Sequence, residues 1–582
     1  INTTTRMASF GTVEEIEAAI TVKGDEIRAE KQAGKSNDDV AALVAELKEL
    51  KVQYKNVTGK EHGKVDKAKP KGGQDERKKK KAERLAKRAA QQQGGGDAQA
   101  SSEADENYGD YPLINSSGLT GRVFLRIHQI DKSRADQEVW VRARVHTSRG
   151  VGKGCFLLLR QTLYTVQCTM FQGEGVSKGM VKYATALPRE SIIDIRGKVV
   201  VAPSPIDSAT QKDVELQILE IRCVSRVIAE LPFQIEDASR PEGKAEEEGM
   251  ATVGQDLRLD YRWIDTRTLA NQAIFRIQSG VCALFREFLA SRGFVEIHSP
   301  KLLGGASEGG SDVFELSYFN QPSCLAQSPQ LYKQMTAACG DFDRVMEVGP
   351  VFRAENSNTN RHLCEFTGLD LEMAITEHYY EVLEVFSELF IFIFDGLNER
   401  YSAELAAVNE QHPFEPLQYS RPSLRLTFAE GIKLLQDAGV ADVDPLGDLS
   451  TENEKRLGAI VKEMYGTDFF IMDKYPLAVR PFYTMPCPDN AELSNSYDMF
   501  IRGQEIVSGA QRIHDVDLLV ERANFWQIPL QSIHSYLDAF RHGAQPHGGG
   551  GIGLERVVML FLGLTNIRKT SLFPRDPRRL FP

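Results

Sequence analysis

Apolar residues near the start of the chain recur at intervals of three and four residues. They form two groups, one between Val13 and Ile27 and the other between Val40 and Tyr54. This spacing puts the apolar side chains on one face of a helix. The pattern therefore predicts two helices within residues 11–60, which we expect to pack together as a helical hairpin.

From Gly118 to about Ile228 the pattern changes to a period of two. In residues 139–146, Val and Ala side chains alternate with Trp, Arg and His, which indicates a strand with one buried face. Further strands are predicted at residues 155–160, 164–171, 192–201 and 214–225. Five strands is the number in an OB-fold barrel, a fold that binds single-stranded nucleic acid through stacking and basic contacts.

A strand–loop–strand unit in the C-terminal half brings cations, a carboxylate and an aromatic ring together. Residues 344–352 and 366–373 are β-rich, and the Asn/Ser/Thr cluster between them indicates a turn. The pattern predicts an antiparallel hairpin with Arg353 and Glu355 at its base. These groups are suited to gripping a nucleotide.

Glycine is concentrated near the C-terminus, in residues 548–551. The segment runs into an apolar helix that carries Arg556 in its first turns. Because glycine has no side chain, the backbone there can approach a ligand closely.

Length and composition limit the possible classes of protein. A chain of 582 residues, 42% of them apolar, exceeds one ordinary core, so two or more domains are expected. No apolar run approaches the roughly 18 to 20 residues of a membrane helix, and the N-terminus lacks the layout of a signal peptide. Eight scattered cysteines without Cys-x-x-Cys spacing argue against a zinc site and a disulfide framework. We expect a soluble intracellular protein.

The net charge of -11 is unevenly distributed. Residues 64–88 contain 12 Lys/Arg and 4 Asp/Glu, a local balance of +8 that leaves -19 for the rest of the chain. Counterion release depends on charges within a Debye length of about 8 to 10 Å of the phosphates, so this arm can bind nucleic acid despite the overall sign. The alternative is a solvated linker.

Five segments, in the same order along the chain, resemble the sequence motifs of class II aminoacyl-tRNA synthetases. Their amino-acid sequences closely resemble those of the cytosolic aspartyl-tRNA synthetases. The segments are residues 293–300, 327–334, 353–370, 505–512 and 548–562. The resemblance implies a multidomain α+β fold: a class II catalytic domain with an antiparallel sheet and flanking helices, an OB-fold barrel, and an N-terminal helical hairpin.

The resemblance also implies a division into domains. The expected parts are a WHEP-like hairpin at 8–62, a basic arm at 63–112 that binds tRNA, an OB-fold anticodon-binding domain at 113–230, a hinge at 231–255 and the catalytic domain at 256–582. WHEP modules bind tRNA or other synthetases in the families that carry them. A hairpin that merely solubilises or spaces is the alternative.

The implied activity is that of a cytosolic aspartate–tRNA ligase. Such an enzyme activates L-aspartate with ATP to aspartyl-adenylate and transfers the aspartyl group to the 3′-hydroxyl of the terminal adenosine of tRNA(Asp). The expected partners are ATP, L-aspartate, tRNA(Asp) and a second copy of the chain, with Pro300 at the dimer interface. Alternatives are an asparaginyl enzyme, a non-catalytic tRNA-binding scaffold, and a tRNA-independent amide synthetase.

The resemblance implies a set of ATP contacts. Attack of a carboxylate on the α-phosphorus needs no general base, so arginines and a metal ion are the groups that lower the barrier. By the motif match, Arg353 holds the α-phosphate and Arg556 the γ-phosphate, and these two are the implied catalytic residues. Phe366 and Arg556 would sandwich the adenine. The other implied ATP contacts are Glu355 at the adenine amino group, His362 at the phosphates, Gly551 and Gly553.

Asp498 and Glu505 are the implied Mg²⁺ ligands. They are seven residues apart, which suits two strands or a strand and its turn. Mg²⁺ is a hard cation that prefers carboxylate oxygens. A solvated surface carboxylate is the alternative for either residue.

Choosing aspartate over asparagine requires positive charge, because the two are nearly isosteric. Lys333 and Arg512 are the implied clamp for the side-chain carboxylate, since the amide would leave buried cations unpaired. Asp370 and His547 would orient that pair. The other implied aspartate contacts are Ser307 and Glu308 in a glycine-flanked mobile loop, Gln330 and Ser508.

In the barrel, the match implies that Phe156 stacks on an anticodon base and that Gln167 reads the central uridine. Arg142 and Arg144 are expected nearby. Core packing is the alternative for Phe156, and solvated surface the alternative for the other three.

Overall fold

The computed structural model describes residues 13–32, 40–58, 107–113, 118–241, 248–305, 313–440 and 443–582. Most of the basic arm predicted at 63–112 lies outside the described residues, as do Ser307 and Glu308. The chain divides into two compact units, residues 1–104 and 105–582. Each unit is described by itself below.

The first unit contains the predicted pair of helices, α1 (Val13–Gln32) and α2 (Ala41–Thr58). Ile16 and Ile20, one helical turn apart, are buried. Lys23 Nζ lies 3.0 Å from a carboxylate oxygen of Glu46, which joins the two helices by a surface ion pair. The predicted N-terminal helices are confirmed.

The second unit begins with a closed barrel. Its strands run in the order β6-β4-β3-β2-β5, and β5 also pairs with β6, which closes the barrel, while β1 adds to β6 in parallel. The elements are β1 (Tyr108–Asp110), β2 (Glu138–Val151), β3 (Gly154–Gln161), β4 (Tyr164–Phe171), α3 (Lys178–Thr185), β5 (Ile192–Val201) and β6 (Val214–Ser225). The five predicted barrel strands are confirmed, and β1 is an addition that the sequence pattern did not predict.

An eight-stranded sheet forms the centre of the remaining chain. Its order is β13-β14-β17-β18-β19-β12-β11-β7, antiparallel except for the β13–β14 and β7–β11 pairs. The strands of this part are β7 (Val295–Glu296), β8 (Leu302–Leu303), β9 (Glu315–Tyr318), β10 (Gln321–Leu325), β11 (Arg344–Phe352), β12 (Glu365–Ala374), β13 (Leu424–Thr427), β14 (Phe469–Asp473), β15 (Pro486–Cys487), β16 (Asn490–Ser494), β17 (Ser496–Ile501), β18 (Gln504–Arg512) and β19 (His547–Gly553). The predicted hairpin at Arg353 corresponds to β11 and β12.

Helices flank this sheet. They are α4 (Ile235–Ala238), α5 (Gln255–Asp260), α6 (Arg262–Asp265), α7 (Leu269–Ser291), α8 (Gln330–Gln334), α9 (Tyr380–Arg400), α10 (Ser402–Gln411), α11 (Phe428–Asp437), α12 (Thr451–Tyr465), α13 (Val516–Phe525), α14 (His534–Arg541) and α15 (Leu554–Phe561). Shorter helical turns occur at Ile127–Gln129, Lys132–Arg134, Met335–Cys339, Leu477–Val479, Leu530–Ile533 and Ile567–Lys569. Among the described helices, none is long and apolar enough to cross a membrane.

Alternation along β12 separates the core from the functional face. Leu369 and Leu371 are buried in the apolar cluster formed with helices α7, α9 and α15. Asp370 and Glu372 point to the opposite face, because successive strand residues alternate between faces. The core therefore fixes the sheet from one side and leaves polar side chains on the other.

The glycine-rich segment forms β19, a strand in the middle of the sheet between β18 and β12. A Cβ atom on Gly549 would lie 2.1 Å from the Leu371 carbonyl oxygen, and one on Gly550 would lie 2.9 Å from that of Ser508. Glycine is required here because neighbouring strands approach too closely for any side chain.

Candidate active site

The polar face of the sheet borders a cavity of about 390 Å³ above β12, β18 and β19. Twelve of the residues predicted from the sequence line it: Gln330, Arg353, Glu355, His362, Phe366, Asp370, Glu505, Ser508, Arg512, Gly551, Gly553 and Arg556. Residues far apart in the chain thus meet at one place, as the motif assignments require.

Arg353 follows directly after β11 and is held by its backbone. Its N–H donates to the Cys364 carbonyl (2.9 Å), and its guanidinium carbon lies 5.7 Å from the centre of the Phe366 ring. Nε of Arg353 is buried and has no hydrogen-bond partner in the described part of the chain. Its nearest carboxylate, Glu355, is 4.0 Å away. A buried donor without a partner costs free energy unless a ligand accepts from it, so Arg353 is placed to bind an anion.

Arg556 lies in the first turn of α15 and donates from Nη1 to the Glu505 carbonyl (3.0 Å). Burial lowers its pKa, and the nearby Glu505 carboxylate opposes that shift. An arginine remains charged at neutral pH in any protein environment. The cavity therefore has a second cation, which is far from Arg353 in the sequence but close to it in space.

Asp498 and Glu505 lie on adjacent strands, β17 and β18. Burial, followed by repulsion from Asp498, raises the pKa of Glu505 to about 7. Two carboxylates that repel each other beside a cavity form a suitable site for a divalent cation. Mg²⁺ in nucleotide sites typically uses one or two carboxylates plus phosphate and water oxygens, so this pair fits it. Among the described residues no set of three or more acidic, His or Cys side chains could hold a metal by itself.

Asp498 itself lies behind the cavity wall and is held by Arg480. The two residues form a bidentate ion pair with distances of 2.9 and 2.6 Å, and Arg480 also donates to Ser508 Oγ (2.9 Å). This pair fixes the orientation of the carboxylate. Arg480 was not predicted from the sequence; the one available signal is a lone arginine within the apolar run Leu477–Phe482.

At the other end of the cavity, Lys333 is almost fully buried behind the wall. Its Nζ donates to Asp370 Oδ1 (2.8 Å) and to the Gly550 carbonyl (3.0 Å), and lies 3.5 Å from Glu372. Burial raises the pKa of Asp370, and Lys333 opposes that shift. Asp370 therefore lies in the cavity wall, and the positive charge of Lys333 acts on the cavity from the buried side of Asp370.

Arg512 is the cation that faces the cavity at this end. Nε and Nη2 bind the fully buried Glu372 (2.9 and 3.3 Å), and Nη2 also donates to the Gly549 carbonyl (2.9 Å). Nη1 makes no hydrogen bond to any described residue, and it is not among the buried unpaired atoms. Although burial acts to raise the pKa of Glu372, Arg512 and Lys333 outweigh it and lower that pKa. Nε and Nη2 of Arg512 are thus held by the protein, while Nη1 is available to a ligand.

Glu372 is the second residue that the sequence reasoning missed. It lies two positions after Asp370, on the same face of β12, so strand alternation alone was sufficient to identify it. His547, cross-strand from Arg512, has its pKa lowered to about 4 by burial. It is neutral at pH 7, and its Nδ1 donates to the Gln545 carbonyl (2.8 Å).

The barrel has a separate polar face. Phe156 is cross-strand from Thr169, and Gln167 is cross-strand from Leu158 and from Glu215, to which its amide donates (3.0 Å). Arg149 is cross-strand from Phe156 and exposed. The face therefore combines a ring, amide and carboxylate hydrogen-bonding groups, and a cation, as single-stranded nucleic acid binding requires.

Arg142 and Arg144 are not part of this group, which corrects the expectation that they lie near Phe156. A register shift in β2 after Val145 separates them from Arg149, and Arg144 is cross-strand from Arg160 instead. Arg142 forms a bidentate ion pair with Asp194 (2.6 and 2.8 Å). Both arginines lie toward the catalytic part of the chain.

Three protein families match the chain. The family described as tRNA synthetases class II (D, K and N) matches residues 254–577, the OB-fold nucleic acid binding domain matches residues 139–224, and the WHEP-TRS domain matches residues 16–68.

Individual relatives agree with these matches. The cytoplasmic aspartate–tRNA ligase of Homo sapiens is 56% identical over 483 residues, which are 83% of this chain and 96% of that protein. A crystal structure of a putative aspartyl-tRNA synthetase from Leishmania major Friedlin has a TM-score of 0.78 and 46% identity, and covers 82% of this chain and 98% of its own. The asparaginyl-tRNA synthetase of Pyrococcus horikoshii in complex with asparaginyl-adenylate has a TM-score of 0.68 and 29% identity, and covers 80% and 100%.

Proposed function

Because the chain belongs to the class II tRNA synthetases of the D, K and N group, we propose that it is a cytoplasmic aspartate–tRNA ligase. The observation that carries this function is Arg512, which lines the cavity and whose Nη1 makes no hydrogen bond to a described residue, while Glu372 binds Nε and Nη2. A guanidinium fixed in this way binds a carboxylate and would be left partly unpaired by an amide. The greater identity to relatives named for aspartate than to the asparagine enzyme supports the same choice.

Charging of tRNA(Asp) transcript with radiolabelled aspartate tests this proposal. Purified protein with ATP and Mg²⁺ is expected to form acid-precipitable aspartyl-tRNA, and to form no asparaginyl-tRNA with labelled asparagine. Charging with asparagine alone would contradict the assignment.

In the first step, a carboxylate oxygen of aspartate attacks the α-phosphorus of ATP. A bond from that oxygen to phosphorus forms, the bond from the α-phosphorus to the bridging oxygen of pyrophosphate breaks, and aspartyl-adenylate and pyrophosphate result. Arg353 and Arg556 neutralise charge on the phosphates, which is the main source of catalysis when no proton must be moved. Phe366 provides a flat surface for the adenine beside Arg353.

Magnesium is the proposed metal of this step, held by Glu505 and Asp498. When bound, it neutralises charge on the ATP phosphates and helps to orient them. The protein's own contribution is to hold the two carboxylates: Arg480 fixes Asp498, and Arg556 binds the backbone of Glu505.

In the second step, the 3′-hydroxyl of the terminal adenosine attacks the aspartyl carbonyl carbon and AMP leaves. The tRNA must be recognised elsewhere for this step to be selective. We assign anticodon contact to the barrel face of Phe156, Gln167 and Arg149, because stacking and basic groups converge there.

Phe156→Ala is expected to weaken tRNA binding by about 1 to 3 kcal/mol, or roughly five- to 150-fold, because one base loses its stacking partner. ATP–pyrophosphate exchange, which needs no tRNA, should be unchanged. Phe525→Ala removes an exposed ring from α13 of the catalytic part and serves as the control. Equal tRNA affinity for the two variants in a filter-binding assay would contradict the assignment of this face.

We also propose that two copies of the chain form a dimer. Pro300 is exposed, and Trp263, Leu572 and Phe573 are exposed apolar side chains. Leu572 and Phe573 line an open cavity of about 390 Å³ together with Phe275 of α7. Apolar surface of this kind is typical of protein–protein interfaces.

Sedimentation velocity is expected to give a species of twice the 64.9 kDa chain mass. Phe573→Glu should shift it towards the monomer, because a charge would be buried in the interface. Phe525→Glu, at another exposed ring, should leave the dimer intact. A wild-type monomer at micromolar concentration would overturn this part of the account.

A further inference from the structure

A second polar pocket, of about 280 Å³, lies where the barrel meets the catalytic part of the chain. Five arginines line it, contributed by β2, β3 and the segments before the Ile127–Gln129 turn and before α7. They are Arg126, Arg142, Arg144, Arg160 and Arg267. The proposed reaction uses none of them.

The positive charge in this pocket is only partly neutralised. Glu190 binds Arg160 through both oxygens (2.8 Å each) and also pairs with Arg267 (3.2 Å). Asp194 pairs with Arg142. Within the described part of the chain, five guanidinium groups thus share two carboxylates, a surplus of three positive charges.

Two of the arginines lack a carboxylate partner in the described part of the chain. Arg144 donates from Nη1 to the Glu190 backbone carbonyl (3.0 Å), and Arg126 is exposed. Burial, and then repulsion by Arg267, lowers the pKa of Arg144. Holding like charges together is unfavourable, so an anion that binds here relieves repulsion that the free protein must tolerate.

The pocket continues the barrel face that carries Phe156. On β3, Phe156 and Arg160 are four residues apart and so point to the same side of the strand. Their separation along the strand is about 13 Å. One RNA molecule on this face can therefore contact both places.

We propose that this arginine pocket binds a phosphate group of the tRNA backbone, and so ties the anticodon-binding barrel to the catalytic domain. The inference rests on the proposed function, since it takes tRNA as the bound RNA. Guanidinium groups bind phosphate oxygens in bidentate fashion. Such contacts fix the position of an RNA without reading its sequence.

The pocket contains residues from both the barrel and the catalytic part of the chain, so a phosphate bound there would link the two. Arg144 and Arg160 belong to the barrel, whereas Arg267 immediately precedes the Thr268 cap of α7, the first long helix of the catalytic part. The carboxylate of Glu190 already joins Arg160 to Arg267. A phosphate bound beside Glu190 would contact both parts at once and hold the tRNA at a fixed position relative to the active site.

The test is the double variant Arg126→Gln/Arg144→Gln, which removes the two cations that pair with no carboxylate and leaves both Glu190 ion pairs intact. Equilibrium binding of tRNA(Asp) transcript is measured between 50 and 200 mM salt. We expect affinity about tenfold weaker at low salt, and a slope of log K against log[salt] that is smaller by about 1 to 2, as for the loss of one or two phosphate contacts.

The matched control is Lys433→Gln/Lys455→Gln, which removes from helices α11 and α12 two exposed cations that pair with no carboxylate among the described residues. Both double variants should retain wild-type ATP–pyrophosphate exchange with aspartate, and only the pocket variant should lose tRNA affinity. An unchanged salt slope in the pocket variant, or an equal loss in the control, would overturn the proposal.

Competition with inorganic tripolyphosphate tests whether tRNA phosphate occupies the pocket. If it does, tripolyphosphate at millimolar concentration should weaken tRNA binding more in the wild type than in the pocket variant, because only the wild type has the complete site from which tRNA is displaced. Equal weakening in the two proteins would mean that polyphosphate competes with tRNA elsewhere, and the proposed RNA contact would be wrong. Failure of the proposed function is distinguishable, because wild-type exchange with aspartate would then be absent.

Discussion

Arg353→Gln is expected to lower kcat for ATP–pyrophosphate exchange by about a thousandfold, or roughly 4 kcal/mol of transition-state stabilisation. The arginine has a buried Nε without a protein partner in the described part of the chain and only a distant carboxylate, Glu355 at 4.0 Å. Its charge is therefore available to the α-phosphate, where negative charge increases as aspartate attacks. Glutamine keeps much of the length of the side chain and removes the charge.

The folded state should tolerate this change, because no buried ion pair is broken. Arg344→Gln provides the control: Arg344 is the first residue of β11, the strand that Arg353 directly follows, and among the described residues its side chain hydrogen-bonds to the Arg292 carbonyl at the surface. We expect Arg344→Gln to stay within about twofold of wild type, since it contacts neither the cavity nor a buried carboxylate. If Arg353→Gln retained kcat within tenfold of wild type, the assignment of Arg353 to the α-phosphate would be wrong.

Arg512→Gln should have the largest effect on amino-acid selection. We expect kcat/KM for aspartate to fall by roughly 150- to 5,000-fold, because the substrate carboxylate loses its buried partner, a loss that costs about 3 to 5 kcal/mol. Discrimination against asparagine, about 10⁴-fold for a site built on buried polar partners, should largely disappear. Exchange rates with aspartate and asparagine measure both.

A confounding effect must be separated from this one, because Arg512 also neutralises Glu372. The double variant Glu372→Gln/Arg512→Gln removes both charges and leaves two amides that can bond to each other. It should fold as wild type does by thermal melting and still fail to select aspartate. Recovery of aspartate activity in the double variant would show that Arg512 acts only by neutralising Glu372.

Strand alternation made the architecture accessible from the sequence. The barrel strands were predicted within a few residues, because each buries one face, and the β11–β12 hairpin was predicted from two β-rich runs with turn residues between them. The same alternation failed within β2, where the register shift after Val145 inserts a residue and reverses the face that follows. Because of the inserted residue, Arg149 and not Ser148 lies opposite Phe156, whereas Arg144 lies further along β2, opposite Arg160.

Contacts between residues that are distant in the sequence could not be predicted from the local pattern. Glycines 548–551 indicated a close backbone approach, but whether to a ligand or to neighbouring strands depended on the position of β19 in the sheet, which the local pattern does not contain. Arg480 could not be predicted for the same reason. Its partner Asp498 is 18 residues away, across the β15–β16 hairpin, and only the folded sheet brings them together.

The most direct test of the account is ATP–pyrophosphate exchange by purified protein with Mg²⁺ and no tRNA, comparing aspartate, asparagine and lysine. We expect exchange with aspartate alone, because Arg512 presents a fixed positive charge to the side-chain carboxylate. Exchange with asparagine in preference to aspartate would contradict the charge argument. Absence of exchange with all three, in folded and magnesium-supplied protein, would contradict the assignment as an amino-acid-activating enzyme.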